Sequence, residues 1–245
     1  MVLLGIITMV KQAIILAGGR GTRLRPYTTV LPKPLMPIGP FPIIEVIVRQ
    51  LVHFGFKKIT MAVNYQADLI KAFFGDGERW NVSIDYSLEL KPLGTIGPLR
   101  LISNLPDHFL VMNGDILTDL NYADFYEDHI SHNSLFTISS YYRQQVIDYG
   151  VLEVDERLNL VGFREKPKVD YEVSMGVYMV SRHILDFVPE DQSYGFDQLM
   201  LDLIEAGKKI RVKKFDGYWL DIGRPDDYIK AIEEFDLLKP RFIHD

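Results

Sequence analysis

The sequence contains no cysteine. That excludes a disulfide frame, a thiolate metal site and a cysteine nucleophile. It agrees with a cytoplasmic setting. A net positive charge is also lacking. The formal net charge is −6, and a nucleic-acid partner normally needs a basic face. No apolar run is long enough to span a bilayer, so no membrane partner is expected. The apolar opening "MVLLGIITMV" is too short to cross, and it lacks the basic flank and cleavage site of a signal peptide. No internal repeat, low-complexity tract or linker interrupts the chain. The histidines (His53, His108, His129, His132, His183, His244) show no zinc-ligand spacing. His129 and His132 are expected on the surface of an amphipathic helix. Ser139 and Ser140 sit in no nucleophile elbow, which removes a serine hydrolase.

The remainder reads as an ordinary globular protein, with 47% apolar and 24% charged residues. Gln12 to Ala17 ("QAIILA") is a continuous apolar run, as expected of a buried parallel strand. Similar short runs cover 57–63, 108–113, 135–139 and 209–215. Helical periodicity covers 42–55, closed by Gly55, and 67–77. Later helices are expected over 193–209 and over 224–238, the last with Pro225 in its first turn. Strand–helix alternation predicts an α/β fold with a doubly wound, mixed but mostly parallel sheet. Residues 149–167 read as two short strands joined by a polar turn, and 171–181 as another strand. Together they predict a β-rich insertion over one end of the sheet.

The segment "LAGGRGTRLRPYTTVLPKPLMPIG" follows the first strand. A glycine-rich turn there lets backbone N–H groups approach anionic oxygens. It is not a P-loop, because no GK[ST] follows. It is not a dinucleotide fingerprint either, since the run Gly19–Leu24 lacks the third glycine. Pro32, Pro34, Pro37 and Pro40 forbid an immediate helix. What remains is a stiff loop carrying Arg20, Arg23, Arg25 and Lys33. Fixed cations over a glycine bed suit a triphosphate or a pyrophosphate; a merely solvated basic loop would need neither feature.

The stretch from Gly18 to Ile38 resembles the signature G-G-x-G-T-R-L-x-P-x-T-x-x-x-P-K-P-L-x-P-I of sugar-1-phosphate nucleotidylyltransferases. Further matches follow in the same order: "PLGTIGPL", "NGD", "YGV", "EKP", "MGVY" and "WLDIG". The resemblance covers residues 12 to 236 and looks closest to mannose-1-phosphate guanylyltransferases. It implies a Rossmann-like, GT-A-like lobe with a sugar-binding insertion. Residues 1–11 would be extra, with Met9 a candidate start. Residues 12–245 would form one catalytic domain, with a nucleotide-binding half over 12–120 and a sugar-binding half over 121–245. A homo-oligomer is one possible assembly.

The implied reaction joins a nucleoside triphosphate and a sugar 1-phosphate, releasing pyrophosphate. Two anions must meet, so charge neutralisation and in-line positioning dominate. By resemblance, Arg23 holds the pyrophosphate and Lys33 neutralises charge where the phosphates meet. Leu16, Ala17, Gly18, Gly19, Gly21 and Thr22 line the nucleotide. Asp115 and Asp221 each follow an apolar strand, and the resemblance pairs them around Mg²⁺, which takes one or two carboxylates plus substrate phosphates. On position alone, Asp115 could simply cap the following helix. Lys166 grips the sugar phosphate and Glu165 accepts sugar hydroxyls. Asn113, Gly114, Gly150, Ser174 and Gly176 belong to the same sugar-phosphate set. Ser174 stands where many relatives carry asparagine, which leaves the hexose open.

The base-reading position of the family falls on Glu89, with Gly94 and Thr95 in the adjoining motif. A carboxylate accepts two hydrogen bonds and donates none. Guanine offers N1–H and its 2-amino group side by side, so GTP is favoured. UTP, dTTP or CTP with a glucose-type 1-phosphate is the alternative. A glycosyltransferase would not need the loop cations. A silent regulatory paralogue would usually lose one of Arg23, Lys33, Asp115 or Asp221, and all are present.

Overall fold

The computed structural model describes residues 10–244. The expected extra segment and the candidate start at Met9 lie outside that range. β1 (Gln12–Leu16) is buried on both faces, as its unbroken apolar run requires. The proline-rich loop folds as three short 3-10 turns and then a small ribbon, β2 (Pro37–Ile38) against β3 (Phe41–Pro42). α1 (Ile43–His53) follows and stops where Gly55 takes a φ of 85°. β4 (Lys58–Val63), α2 (Ala67–Phe74) and β5 (Ser83–Leu88) continue the alternation. β6 (His108–Asn113), β7 (Ile116–Thr118) and α3 (Tyr122–Ser131) complete the first half.

The second half is richer in strand. β8 (Phe136–Val146) and β11 (Lys168–Ser181) form a long antiparallel ribbon. Between them lies the hairpin of β9 (Val151–Val154) and β10 (Leu160–Arg164). α4 (Phe196–Glu205), β12 (Arg211–Phe215), β13 (Trp219–Asp221) and α5 (Pro225–Phe242) close the chain.

The main sheet has the order β12-β8-β11-β6-β1-β4-β5. Every adjacent pair is parallel except those involving β11, which runs against β6 and β8. The mixed, mostly parallel, doubly wound sheet is therefore as expected. Alternate residues feed opposite faces. Ala13, Ile15, Leu110 and Met112 pack towards α1, α2 and α3. Ile14, Phe109 and Val111 pack towards Leu99, Leu199 and Leu203. A third cluster joins Leu24, Met36 and Ile38 of the loop to Phe235 and Phe242 of α5. That cluster bolts the glycine-rich loop to the C-terminal helix.

Two expectations change. β5, a strand the sequence reading did not include, lies at the sheet edge with only Ile84 and Ser87 buried, and has no continuous apolar run to announce it. His129 is not on the surface: it is 0% exposed. Tyr122, Phe125, Tyr126 and His129 share the buried stripe of α3 at helical spacing. His129 Nδ1 lies 2.8 Å from Thr137 Oγ1, and its Nε2 lies 3.0 Å from His108 Nδ1. Burial, and then the neighbouring His108, push its pKa down from 6.5 to about 4. His132, one face round, is exposed as expected.

Candidate active site

A cavity of about 580 Å³ opens outside the carboxyl ends of β1, β4 and β6, where α/β sheets bind ligands. Leu16, Gly18, Gly19, Arg20, Asn64, Glu89, Gly94, Asn113 and Asp115 are among its walls.

The loop reaches this cavity through local constraints. Gly21 has a φ of 60°, and a Cβ there would sit 2.9 Å from the Thr28 methyl and 3.1 Å from Lys33 Cβ. Thr28 Oγ1 donates to the Gly21 carbonyl at 2.7 Å. Leu24 N donates to the same oxygen at 2.9 Å. The loop thus doubles back, setting Gly21 beside Lys33. A side chain at position 21 would be both strained and obstructed. Ala17 is buried, its N–H bonded to Ala62. Thr22 and Arg23 are the exposed first residues of the 3-10 turn that follows, which ends on buried Leu24.

Lys33 is 8% exposed, and its Nζ contacts Asp115 Oδ2. Asp115 and Asp221 are far apart in sequence but adjacent in space. β7 pairs antiparallel with β13, Asp221 opposite Ile116, and Ile222 N donates to the Asp115 carbonyl at 3.0 Å. Asp221 keeps one face open to solvent. Even so, the surrounding protein raises its pKa, chiefly by desolvation and then by the Asp115 charge; Lys33 and Arg23 act against the rise. A Cβ at Gly223 would lie 3.4 Å from Asp221 Oδ1 and 3.6 Å from Arg23 Nη2. Arg23, Lys33, Asp115 and Asp221 therefore form one cluster. Asp115 Oδ1 is buried and has no hydrogen-bond partner. An orphaned carboxylate oxygen costs free energy, and a hard cation is a fitting occupant. Among the described residues, no group of three or more metal-ligating side chains exists, so protein alone would leave most coordination positions open.

Glu89 stands on the opposite wall. Its Oε1 would be 2.9 Å from a Cβ on Gly18, and Leu93 N lies 3.4 Å from its Oε2. Burial raises its pKa, and the Leu93 contact partly offsets this. Gly94 has a φ of 80° and its backbone packs on that of Tyr194. Thr95 Oγ1 accepts from Phe196 N at 2.9 Å. Gly94 and Thr95 thus line the cavity while tying its loop to the start of α4.

The remaining expected residues fall into two groups. Gly114 packs on β1, its N–H bonded to the Leu16 carbonyl at 2.9 Å. Ser174 and Gly176 lie where the register of β11 shifts against β8. A Cβ on Gly176 (φ 74°) would sit 2.6 Å from Asn113 Nδ2. Ser174 Oγ donates to the Tyr178 hydroxyl at 3.1 Å. These join the central cluster through Asn113. Gly150, Glu165 and Lys166 belong to the hairpin instead. A Cβ on Gly150 would be 2.6 Å from the Phe163 ring and 3.3 Å from Glu165 Oε2. Lys166 has a φ of 43° and is exposed. Among the described residues, no ion pair joins Lys166 to Asp115. Sequence reasoning missed Asn64. Its only sequence signal was its place directly after an apolar strand.

A mixed, mostly parallel open sheet with a glycine-lined cleft at the carboxyl ends of its parallel strands defines an α/β protein of the Rossmann-like class. The family model for nucleotidyl transferases matches residues 12–236. The chain belongs to the sugar-1-phosphate nucleotidyltransferase family. It is 33% identical to a UTP–glucose-1-phosphate uridylyltransferase of Synechocystis, over 90% of this chain and 62% of that one. It is 33% identical to a probable mannose-1-phosphate guanylyltransferase of Oryza sativa, over 90% of this chain and 63% of the relative. The chain thus spans about three-fifths of the length of these curated relatives. Among solved structures it resembles HddC of Yersinia pseudotuberculosis, crystallised with GMP-PN, at a TM-score of 0.70 and 29% identity, covering 92% of this chain and 100% of that one.

Proposed function

We propose that the protein transfers a guanylyl group from GTP to a sugar 1-phosphate. The observation that carries this reading is the meeting of Arg23, Lys33, Asp115 and Asp221 beside the glycine-rich turn. A sugar-phosphate oxygen attacks the α-phosphorus, the bond to the bridging oxygen breaks, and pyrophosphate departs with the electron pair. Backbone from Leu16 to Thr22 seats the phosphates. Arg23 pairs with the leaving pyrophosphate. Lys33, held by Asp115, is positioned without flexible searching, so its charge is ready where the phosphates meet. Lys166 and Glu165 bind the sugar phosphate and the sugar hydroxyls. Asn113, Gly150, Ser174 and Gly176 shape that pocket. Asp115 and Asp221 would hold Mg²⁺, which fits the orphaned Asp115 Oδ1. When bound, the ion would neutralise charge on the substrate phosphates.

Guanine is favoured by Glu89, whose carboxylate offers a pair of acceptors to N1–H and the 2-amino group. The HddC structure with GMP-PN supports that choice. The Synechocystis uridylyltransferase supports UTP with glucose 1-phosphate as the second reading. The test is pyrophosphate release, crossing nucleoside triphosphates with hexose and heptose 1-phosphates. Release with GTP is expected. Strongest release with UTP or dTTP would select the second reading. No release with any pair would leave a non-catalytic role. Among the described residues, no helix is long and apolar enough to cross a membrane. A cytoplasmic, homo-oligomeric enzyme is the accompanying proposal.

A further inference from the structure

Asn64 is the first residue beyond β4, and Glu89 is the first residue beyond β5. These strands are parallel, with Val63 registered against Leu88. The next step of that register places Asn64 beside Glu89. Glu89 N donates to the Val63 carbonyl at 2.9 Å, which fixes the two strand ends together. Both residues flank Gly18: a Cβ there would lie 2.9 Å from Glu89 Oε1 and 3.3 Å from Asn64 Cβ. Both line the same cavity. Among the described residues, the Asn64 side-chain amide makes no protein hydrogen bond. It sits half-buried with a donor pair and an acceptor to offer.

Glu89 alone accounts for only part of a base edge. Guanine presents two donors, N1–H and the 2-amino group, and one acceptor, O6. A carboxylate matches the donors and leaves O6 unpaired. An amide N–H beside it would complete the set. Uracil and thymine present two acceptors around one donor, so a carboxylate facing them leaves repulsion whichever way the amide turns. We infer that Asn64 is a second base-selecting residue, donating its amide N–H to O6 of guanine. This rests on the guanylyl reading above and extends it to a residue on a different strand.

The experiment compares GTP with 6-thio-GTP, in which a poor sulfur acceptor replaces O6 while both donors remain. Initial rates are measured for the wild type and for Asn64→Ala. The wild type should use GTP about tenfold better than 6-thio-GTP, the size of one lost base contact. Asn64→Ala should lose that discrimination, with GTP falling to the 6-thio-GTP level. Asn64→Gln should restore part of it. If the wild type prefers UTP or dTTP, the guanylyl reading fails and this inference falls with it. If the wild type prefers GTP but Asn64→Ala slows both purine substrates equally, only this inference is overturned, since a merely structural asparagine would act that way.

Discussion

Lys33 and Lys166 both sit beside prolines, yet the molecule treats them differently. Lys33 is 8% exposed, lies against Asp115 and is fixed by a loop that packs on α5. Lys166 is exposed on a turn beyond β10, with a left-handed φ of 43° and no ion pair among the described residues. The contrast extends to their surroundings. The glycine-rich loop closes over buried Leu24, Met36 and Ile38. The hairpin lobe instead leaves Leu152, Leu160 and Phe163 more than half exposed. Under the proposed roles, Lys33, assigned to the triphosphate, is held ready before substrate arrives. Lys166, assigned to the sugar phosphate, is carried on an exposed turn. Preorganisation matters most where charge must be stabilised in the transition state. A pocket that only selects a sugar can tolerate more give.

The comparison breaks most visibly at Asp115. Asp115→Asn should lower turnover by about 10³-fold, and EDTA should abolish activity in the unmodified protein. Thermal unfolding of the variant should move downward, because the change takes the ionic partner from the mostly buried Lys33, and circular dichroism at the assay temperature checks that the variant is folded. Near-normal rates would remove Asp115 from the reaction. Lys166→Ala should raise the KM for sugar 1-phosphate by about 10- to 100-fold and leave the KM for GTP unchanged. An effect confined to GTP would contradict the division between the two regions. Glu89→Gln should erode the preference for GTP over UTP by about tenfold, read from competing substrates. An unaltered nucleotide profile would free Glu89 from base reading.

The smallest effect lies away from both regions, at His129. Its folded pKa of about 4 is below the ordinary 6.5. A base depressed in this way contributes stability that is fully present above pH 6.5 and lost as pH falls towards the folded pKa. Unfolding free energy should drop by about 1–2 kcal/mol between pH 7 and pH 5 on this account. His129→Gln should flatten that part of the pH profile in denaturant titrations, with little change in catalysis at pH 7.5. A slope that persists in the variant would assign it to other groups.

Much of the fold was legible because its signals are local. β1, β4 and β6 are short apolar runs, and α1 shows an apolar stripe closed by a glycine. β5 escaped notice because its alternation breaks at its end, where Ser87 is buried and Leu88 exposed, and it carries neither an apolar run nor a clean period of two. His129 was misplaced because a histidine suggests water, although its spacing from Tyr122 and Phe125 puts it on the buried stripe. Asn64 was missed because a polar residue after a strand looks like any loop residue until the neighbouring strand is known.

The sequence by itself determined a stiff, cationic, glycine-lined loop after a buried strand, since glycine and proline restrict only the backbone they occupy. It also supplied carboxylates at strand ends. Only the tertiary structure decided which of them meet. Asp115 reaches Asp221 through the pairing of β7 with β13, and Asn64 reaches Glu89 through the register of β4 on β5. Such encounters depend on hydrogen bonds between segments distant in the chain, and no local pattern of residues encodes that partnership.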